Sequence, residues 1–217
     1  MRAVFITATD TSVGKTFVCY NIALSLRQRG VKVGYFKPVE TGVYKLPEDT
    51  ALLCSVTGQD IKKANCYSFK PPVSPYAASL DDKIQISKEV IKNRFEELRD
   101  EFEFLLVEGA GGICVPITKD FNYADLAKML NIPVILVSRA GLGTINHTLL
   151  SVNYIRLMNL ELLGIVMTPF EGKDISEKRN PEIIKELTNI EPLKLEKSGS
   201  LILPKSQRDA LCRLIGF

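Results

Sequence analysis

The stretch Thr7-Ala8-Thr9-Asp10-Thr11-Ser12-Val13-Gly14-Lys15-Thr16 constrains this chain more than any other. An apolar run at 3–6 precedes it and reads as a buried strand, and residues 17–28 after it read as a helix. Strand, small-residue loop, Gly-Lys-Thr and helix, in that order, are the context a phosphate-binding loop requires. Backbone N–H groups of such a loop and of the first helical turn converge on one spot, and the helix dipole makes that spot favour an anion. Lys15 is suited to neutralise the outer phosphates of a nucleotide, and the Thr16 hydroxyl to ligate Mg²⁺. The usual pattern is G-x-x-x-x-G-K-[ST]; its first glycine is Thr9 here.

Further apolar runs at 31–36, 102–107, 132–137 and 162–167 read as buried strands. They alternate with helical segments at 49–57, 86–101, 124–130 and 148–159, and shorter ones at 181–187 and 210–214. Val90, Ile91, Phe95 and Leu98 form the expected buried face of the second of these. Residues 66–78 carry several prolines and read as a rigid connector without a regular element. The alternation predicts an α/β fold of the P-loop NTPase type, a mostly parallel sheet with helices on both faces.

In such a sheet ligands gather at the carboxyl ends of the strands. Lys37 follows the second strand and so shares a rim with the loop at 8–16; position alone fits a solvated lysine equally well. Asp49 opens a helix, where an acid can serve the dipole or a site. Glu108-Gly109-Ala110-Gly111-Gly112 ends a core strand in an acid followed by glycines, which fits a metal-linked carboxylate facing a nucleotide.

At 217 residues, 46% hydrophobic and 24% charged, the chain suits one soluble α/β domain spanning 1–217. A net charge of +3 is too small to argue for nucleic acid or an anionic membrane. No apolar run approaches the roughly 18 residues of a spanning helix, and the chain opens on a strand rather than a leader peptide. Five scattered cysteines without a C-x-x-C pair predict a reducing, cytoplasmic setting with neither disulfide framework nor zinc site.

Several signatures in order resemble dethiobiotin synthetases: T-x-T-D-T-x-V-G-K-T at 7–16, Y-F-K-P-V-E-T-G at 35–42, S-P-Y-A-A-S at 74–79, V-E-G-A-G-G at 107–112, P-V-I-L-V at 133–137 and L-G-T-I-N-H at 142–147. The resemblance implies carboxylation of 7,8-diaminopelargonic acid by CO₂ and ring closure driven by ATP and Mg²⁺, through a carbamate and a carbamic–phosphoric anhydride. It implies Lys37 and Lys15 as catalytic residues, and Thr16, Asp49 and Glu108 at the metal. Nucleotide contacts would come from Ser12, Val13, Gly14, Lys15, Thr16, Phe17, Asp49, Glu108, Gly109, Ala110, Gly111 and Thr168. Substrate contacts would come from Thr11, Lys37, Thr41, Gly111, Ile113, Val115 and Asn146. A homodimer is implied, with Asn146 reaching the partner subunit's substrate.

The chain departs from that family's pattern in three ways. Thr168-Pro169 stands where Asn-Asp is frequent, and a single hydroxyl cannot make the two-point contact of an amide with a base edge. The G-x-[IL]-P turn near the base is missing from 192–197, so looser base selection is expected. Tyr76 replaces a frequent His. The rival expectation is a ParA/MinD-like ATPase switch. Those proteins carry a signature lysine five positions before the loop lysine, and that position is Asp10 here.

Overall fold

A computed structural model describes residues 2–217. The first strand, β1 (Ala3–Ala8), is buried along its whole length. The loop at 9–14 leads into α1 (Lys15–Gln28), followed by β2 (Val33–Thr41), α2 (Glu48–Thr57), the short α3 (Ile61–Ala64) and β3 (Asn65–Phe69). Next come α4 (Pro75–Asp81), α5 (Lys88–Glu101), β4 (Phe104–Gly112) and a hairpin of β5 (Pro116–Thr118) and β6 (Phe121–Asn122). The chain ends with α6 (Tyr123–Leu130), β7 (Val134–Ser138), α7 (Thr144–Leu157), β8 (Leu162–Phe170), α8 (Ile175–Thr188), β9 (Leu193–Glu196) and α9 (Lys205–Leu214).

Seven strands form one sheet in the order β3-β2-β4-β1-β7-β8-β9, and every pairing in it is parallel. Strand β1 lies at the centre with helices over both faces, as the alternating pattern predicts. Period-two side chains feed two cores. Phe5, Leu105, Val107, Val134 and Leu136 pack on one face with Ile91, Phe95 and Leu98 of α5 and with α6. Val4, Ile6, Phe104, Leu106, Ile135 and Val137 pack on the other with α1, α2 and α9. Both faces being covered explains why these strands read as continuous apolar runs. Among the described residues no helix is long and apolar enough to cross a membrane.

Several boundaries differ from the sequence expectation. Strand β2 continues past Phe36 to Thr41, so Lys37 sits within it. It pairs with β4 over Val33–Phe36 and then with β3 over Lys37–Thr41; Pro38, which has no N–H to give, falls just after the first pairing stops. The proline-rich connector holds two regular elements instead of none. Its prolines sit between or at the start of them: Pro75 occupies the first turn of α4, and the Ser74 hydroxyl accepts the Ala77 N–H at 3.3 Å as its cap. Val90 is exposed, one position off the buried Ile91–Phe95–Leu98 stripe. Helix α7 starts at Thr144, so Asn146 belongs to a helical turn rather than a loop. Helix α8 is longer than expected and runs through Pro181, and β9 is a strand that no sequence pattern announced.

Candidate functional site

The loop at 9–14 ends in Gly14, which caps α1 with φ 108°, a left-handed conformation natural to glycine. A Cβ at Gly14 would lie 2.8 Å from Thr168 Cγ2, so the loop also needs the space. No side chain caps α1, which leaves its first N–H groups for a ligand. Lys15 is buried; its Nζ donates to the Gly111 carbonyl at 2.9 Å and to the Asp10 carbonyl at 3.3 Å. Burial lowers its pKa, as does the charge of Lys37, while Glu108 and Asp49 act against them.

Lys37 points from β2 to the same place and is only 4% exposed. Its Nζ donates to Glu108 Oε1 at 2.9 Å and makes a short ion pair with Asp49 Oδ2. Glu108 is 0% exposed, whereas the Asp49 side chain is 41% exposed. The register explains the meeting: β2 and β4 are direct neighbours, and Glu108 lies one step past the Phe36–Val107 pair. Thr16 Oγ1 donates to Glu108 Oε1 at 2.9 Å, and Tyr35 Oη donates to Glu108 Oε2 at 2.8 Å. Burial by itself would lower the Lys37 pKa, but Glu108, then Asp49 and Glu40, hold it well above the ordinary lysine value. Lys37 is therefore a fixed ammonium, suited to stabilising negative charge and unsuited to accepting a proton.

Two residues of this cluster carried no functional signal in the sequence. Burial, then the charge of Glu108, keep Tyr35 a phenol and hence a donor. Glu40 is buried and takes the Asp49 N–H at 3.0 Å, the Thr50 N–H at 3.1 Å and the Thr50 hydroxyl at 2.6 Å. Both lie inside the 35–42 signature, where the lysine drew attention first. Only the tertiary approach of α2 to β2 gives Glu40 its partners.

Lys15, Thr16, Lys37, Glu40, Asp49 and Glu108 line a cleft of ≈ 680 Å³, together with Thr11, Ser12, Val13, Gly14, Thr41, Ala110, Gly111 and Val115. Gly111 has φ 67°, and a Cβ there would meet Val115 Cγ2 at 2.9 Å. A smaller recess of ≈ 200 Å³ adjoins the loop and takes in Phe17, Thr168, Pro169, Glu196, Lys197 and Ser198. A larger groove of ≈ 870 Å³ lies near α4, α5 and the hairpin, but holds none of the loop, Lys37 or Glu108, so size does not pick out the site.

Phe17 and Thr168 line the recess rather than the cleft, and three expected site residues line neither. Gly109 is within β4, close to the Phe5 and Tyr123 rings. Ile113 is buried in the core, and its carbonyl accepts the Ala124 N–H at 3.1 Å. Asn146 is exposed on α7 and does not line the cleft.

The Glu108 and Asp49 carboxylates meet on the Lys37 ammonium, and the Thr16 hydroxyl bonds Glu108; these hard oxygen donors form a set that fits Mg²⁺. Among the described residues no three His, Cys, Asp or Glu side chains form a metal-binding group. Such an ion would take its remaining oxygens from phosphate and water.

A family model described as an AAA domain matches residues 2–195. The ATP-dependent dethiobiotin synthetase BioD of Aquifex aeolicus is 48% identical over 95% of this chain and 94% of its own length. The enzyme of the same name from Methanocaldococcus jannaschii is 41% identical, over 90% of this chain and 94% of its own. Among solved structures, the MinC:MinD cell division complex of Aquifex aeolicus superposes with a TM-score of 0.64 at 16% identity, covering 100% of this chain and 96% of that one. A ParA family ATPase from Chlorobium tepidum gives 0.59 at 11%, covering 98% and 89%. At such identities the structural likeness speaks for the fold alone.

Proposed function

The chain belongs to the ATP-dependent dethiobiotin synthetase family, and on that premise we propose how its residues divide the work. The reaction carboxylates 7,8-diaminopelargonic acid with CO₂ and closes the cyclic urea of dethiobiotin, with ATP as phosphoryl donor. The observation that carries the assignment is a buried second lysine, Lys37, converging with the loop lysine on one cleft.

An amine of the substrate adds to the carbon of CO₂ and loses a proton to give a carbamate. A carbamate oxygen then attacks the γ-phosphorus, and the bond to the ADP oxygen breaks. The second amine attacks the carbonyl carbon, the carbon–oxygen bond to phosphate breaks, and a proton leaves as the ring closes. Bringing a carbamate onto a triphosphate sets anion against anion, so cationic groups must already be in place. Lys15 binds the phosphates after exchanging the Gly111 carbonyl for them. Lys37, held protonated, stabilises the carbamate and the group in flight. Thr16, Asp49 and Glu108 would hold Mg²⁺, which supplies charge neutralisation at the phosphate oxygens. Residues 12–17 and Ala110, Gly111 and Thr168 line the nucleotide's path. Thr11, Thr41 and Val115 line the substrate's side of the cleft.

The homodimer is part of the same reading. Leu150 and Leu157 are 63% and 75% exposed on α7, the helix of Asn146, and Leu142 just before it is 91% exposed, an apolar surface suited to a second copy. Asn146 then serves the partner's cleft. The cytoplasmic assignment rests on free cysteines at all five positions.

The test is direct. With Mg²⁺, ATP and bicarbonate, ADP and phosphate should appear only when the diamine is added. Hydrolysis that ignores the diamine and responds to DNA or lipid would point to a ParA/MinD-like switch instead. Lys37→Gln should lower turnover by about 10²–10³-fold or more while nucleotide affinity stays within about threefold. Surviving turnover refutes the role given to Lys37.

A further inference from the structure

Asp49 reaches Lys37 from the first turn of α2, a helix whose own start is poorly anchored. Its N-cap is Pro47, which offers no side-chain bond. The connection from β2 is tied to the end of β3 by Val43 N–H on the Phe69 carbonyl and to the turn after it by Gly42 N–H on the Pro71 carbonyl, but Tyr44, Lys45 and Leu46 beyond it are exposed. What fixes the helix start is Glu40. One carboxylate oxygen accepts the Asp49 N–H at 3.0 Å, and the other accepts both the N–H and the hydroxyl of Thr50, at 3.1 and 2.6 Å. Glu40 stands three residues after Lys37 on the same strand, at the step paired with Ser68 of β3.

We propose that Glu40 is a positioning residue: it bolts the first turn of α2 to the strand that bears Lys37 and so sets where the Asp49 carboxylate stands. A local cap at position 47 would satisfy the helix equally well. A cap from β2 adds a second tie between the helix start and the lysine's strand, beside the Lys37–Asp49 ion pair. Three donors share the two carboxylate oxygens of buried Glu40, whereas residues 44–46 of the chain link are exposed. The inference rests on the reading of Asp49 as a metal-linked carboxylate.

The test separates capping from positioning. In the full-length protein with the ATP analogue AMP-PNP, Mn²⁺ affinity is measured by EPR. Melting temperature and the Mg²⁺ dependence of turnover are followed in parallel. Glu40→Ala should lower the melting temperature and weaken Mn²⁺ binding by about 10- to 100-fold, the usual scale for losing a group that orients a ligand. The diamine KM should stay within about threefold. Glu40→Gln keeps one acceptor and should fall between Glu40→Ala and the parent. In Glu40→Ala/Pro47→Asp the new local cap should restore the melting temperature but not the Mn²⁺ affinity. If it restores both, or if Glu40→Ala leaves Mn²⁺ binding intact while Asp49→Asn weakens it, the positioning role is overturned. If Asp49→Asn itself leaves Mn²⁺ binding unchanged, the reading of Asp49 fails and this inference fails with it.

Discussion

Removing the Lys37 ammonium should destabilise the ligand-free protein as well as disable it. In Lys37→Met, Glu108 remains 0% exposed and keeps only neutral donors, the Thr16 and Tyr35 hydroxyls. Breaking a buried ion pair from one side costs about 3–5 kcal/mol. The two surviving donors favour the lower end, about 3 kcal/mol. At about 2–4 °C per kcal/mol for a chain of this size, the melting temperature falls by about 6–12 °C. Glu108→Gln leaves Lys37 with Asp49 alone, on the solvent side, and should cost a similar amount. The double variant buries neither charge, so its loss should stay near that of one single variant. The coupling is then about 2–3 kcal/mol, at the top of the range for contacting residues. Urea unfolding without nucleotide, followed by far-UV circular dichroism because the chain has no Trp, gives all four corners of the cycle. The pH dependence has a definite sign. The Lys37 pKa is raised above its ordinary 10.5, so the stabilisation is complete below that value and is lost as pH rises beyond it. The gap between parent and Lys37→Met should be flat up to about pH 9 and shrink only above 10.5. Additivity of the two substitutions within about 0.5 kcal/mol would refute the argument that these charges depend on each other.

Base selection should be loose: with only the Thr168 hydroxyl and the exposed residues 196–198 beside the loop, ATP should beat CTP and GTP by less than about a hundredfold in kcat/KM. A larger ratio in steady-state assays would mean that backbone groups of the recess read the base. Gly14→Ala should cost about 1–3 kcal/mol from its left-handed φ and the 2.8 Å approach to Thr168 Cγ2. Adding Thr168→Ser, which removes that methyl, should return only the steric part in urea unfolding. Alkylation followed by mass spectrometry should find exposed Cys114 labelled first. Burial pushes Cys66 up to about 11, so its labelling rate should still be rising at about pH 10, where an ordinary thiol has levelled off.

Where sequence reading fell short, the missing information was tertiary in each case. Lys37 read as a residue after a strand because the apolar run stops at Phe36; β3 extends the strand past Pro38 by pairing on its other side. The prolines at 71–75 suggested a connector, yet Pro75 starts a helix where its absent N–H costs nothing. Strand β9 is short and mixed in character, and gains its place from pairing with β8 rather than from its own pattern. Tyr35 reads as a core aromatic, and nothing local reveals that its hydroxyl meets Glu108, 73 positions away.

The sequence by itself determined the parts whose physics is local. Gly14-Lys15-Thr16 after an apolar strand makes an anion-binding turn, and runs buried on both faces make a parallel sheet. It also named Lys15, Thr16, Lys37, Asp49 and Glu108 as the residues to watch. The tertiary structure alone decided how they relate. Neighbouring strands bring Lys37 to Glu108, α2 brings Asp49 to Lys37, and Glu40 ties that helix to the strand. The reason is that charge does its work through distance and burial, and both are set by which strands lie side by side.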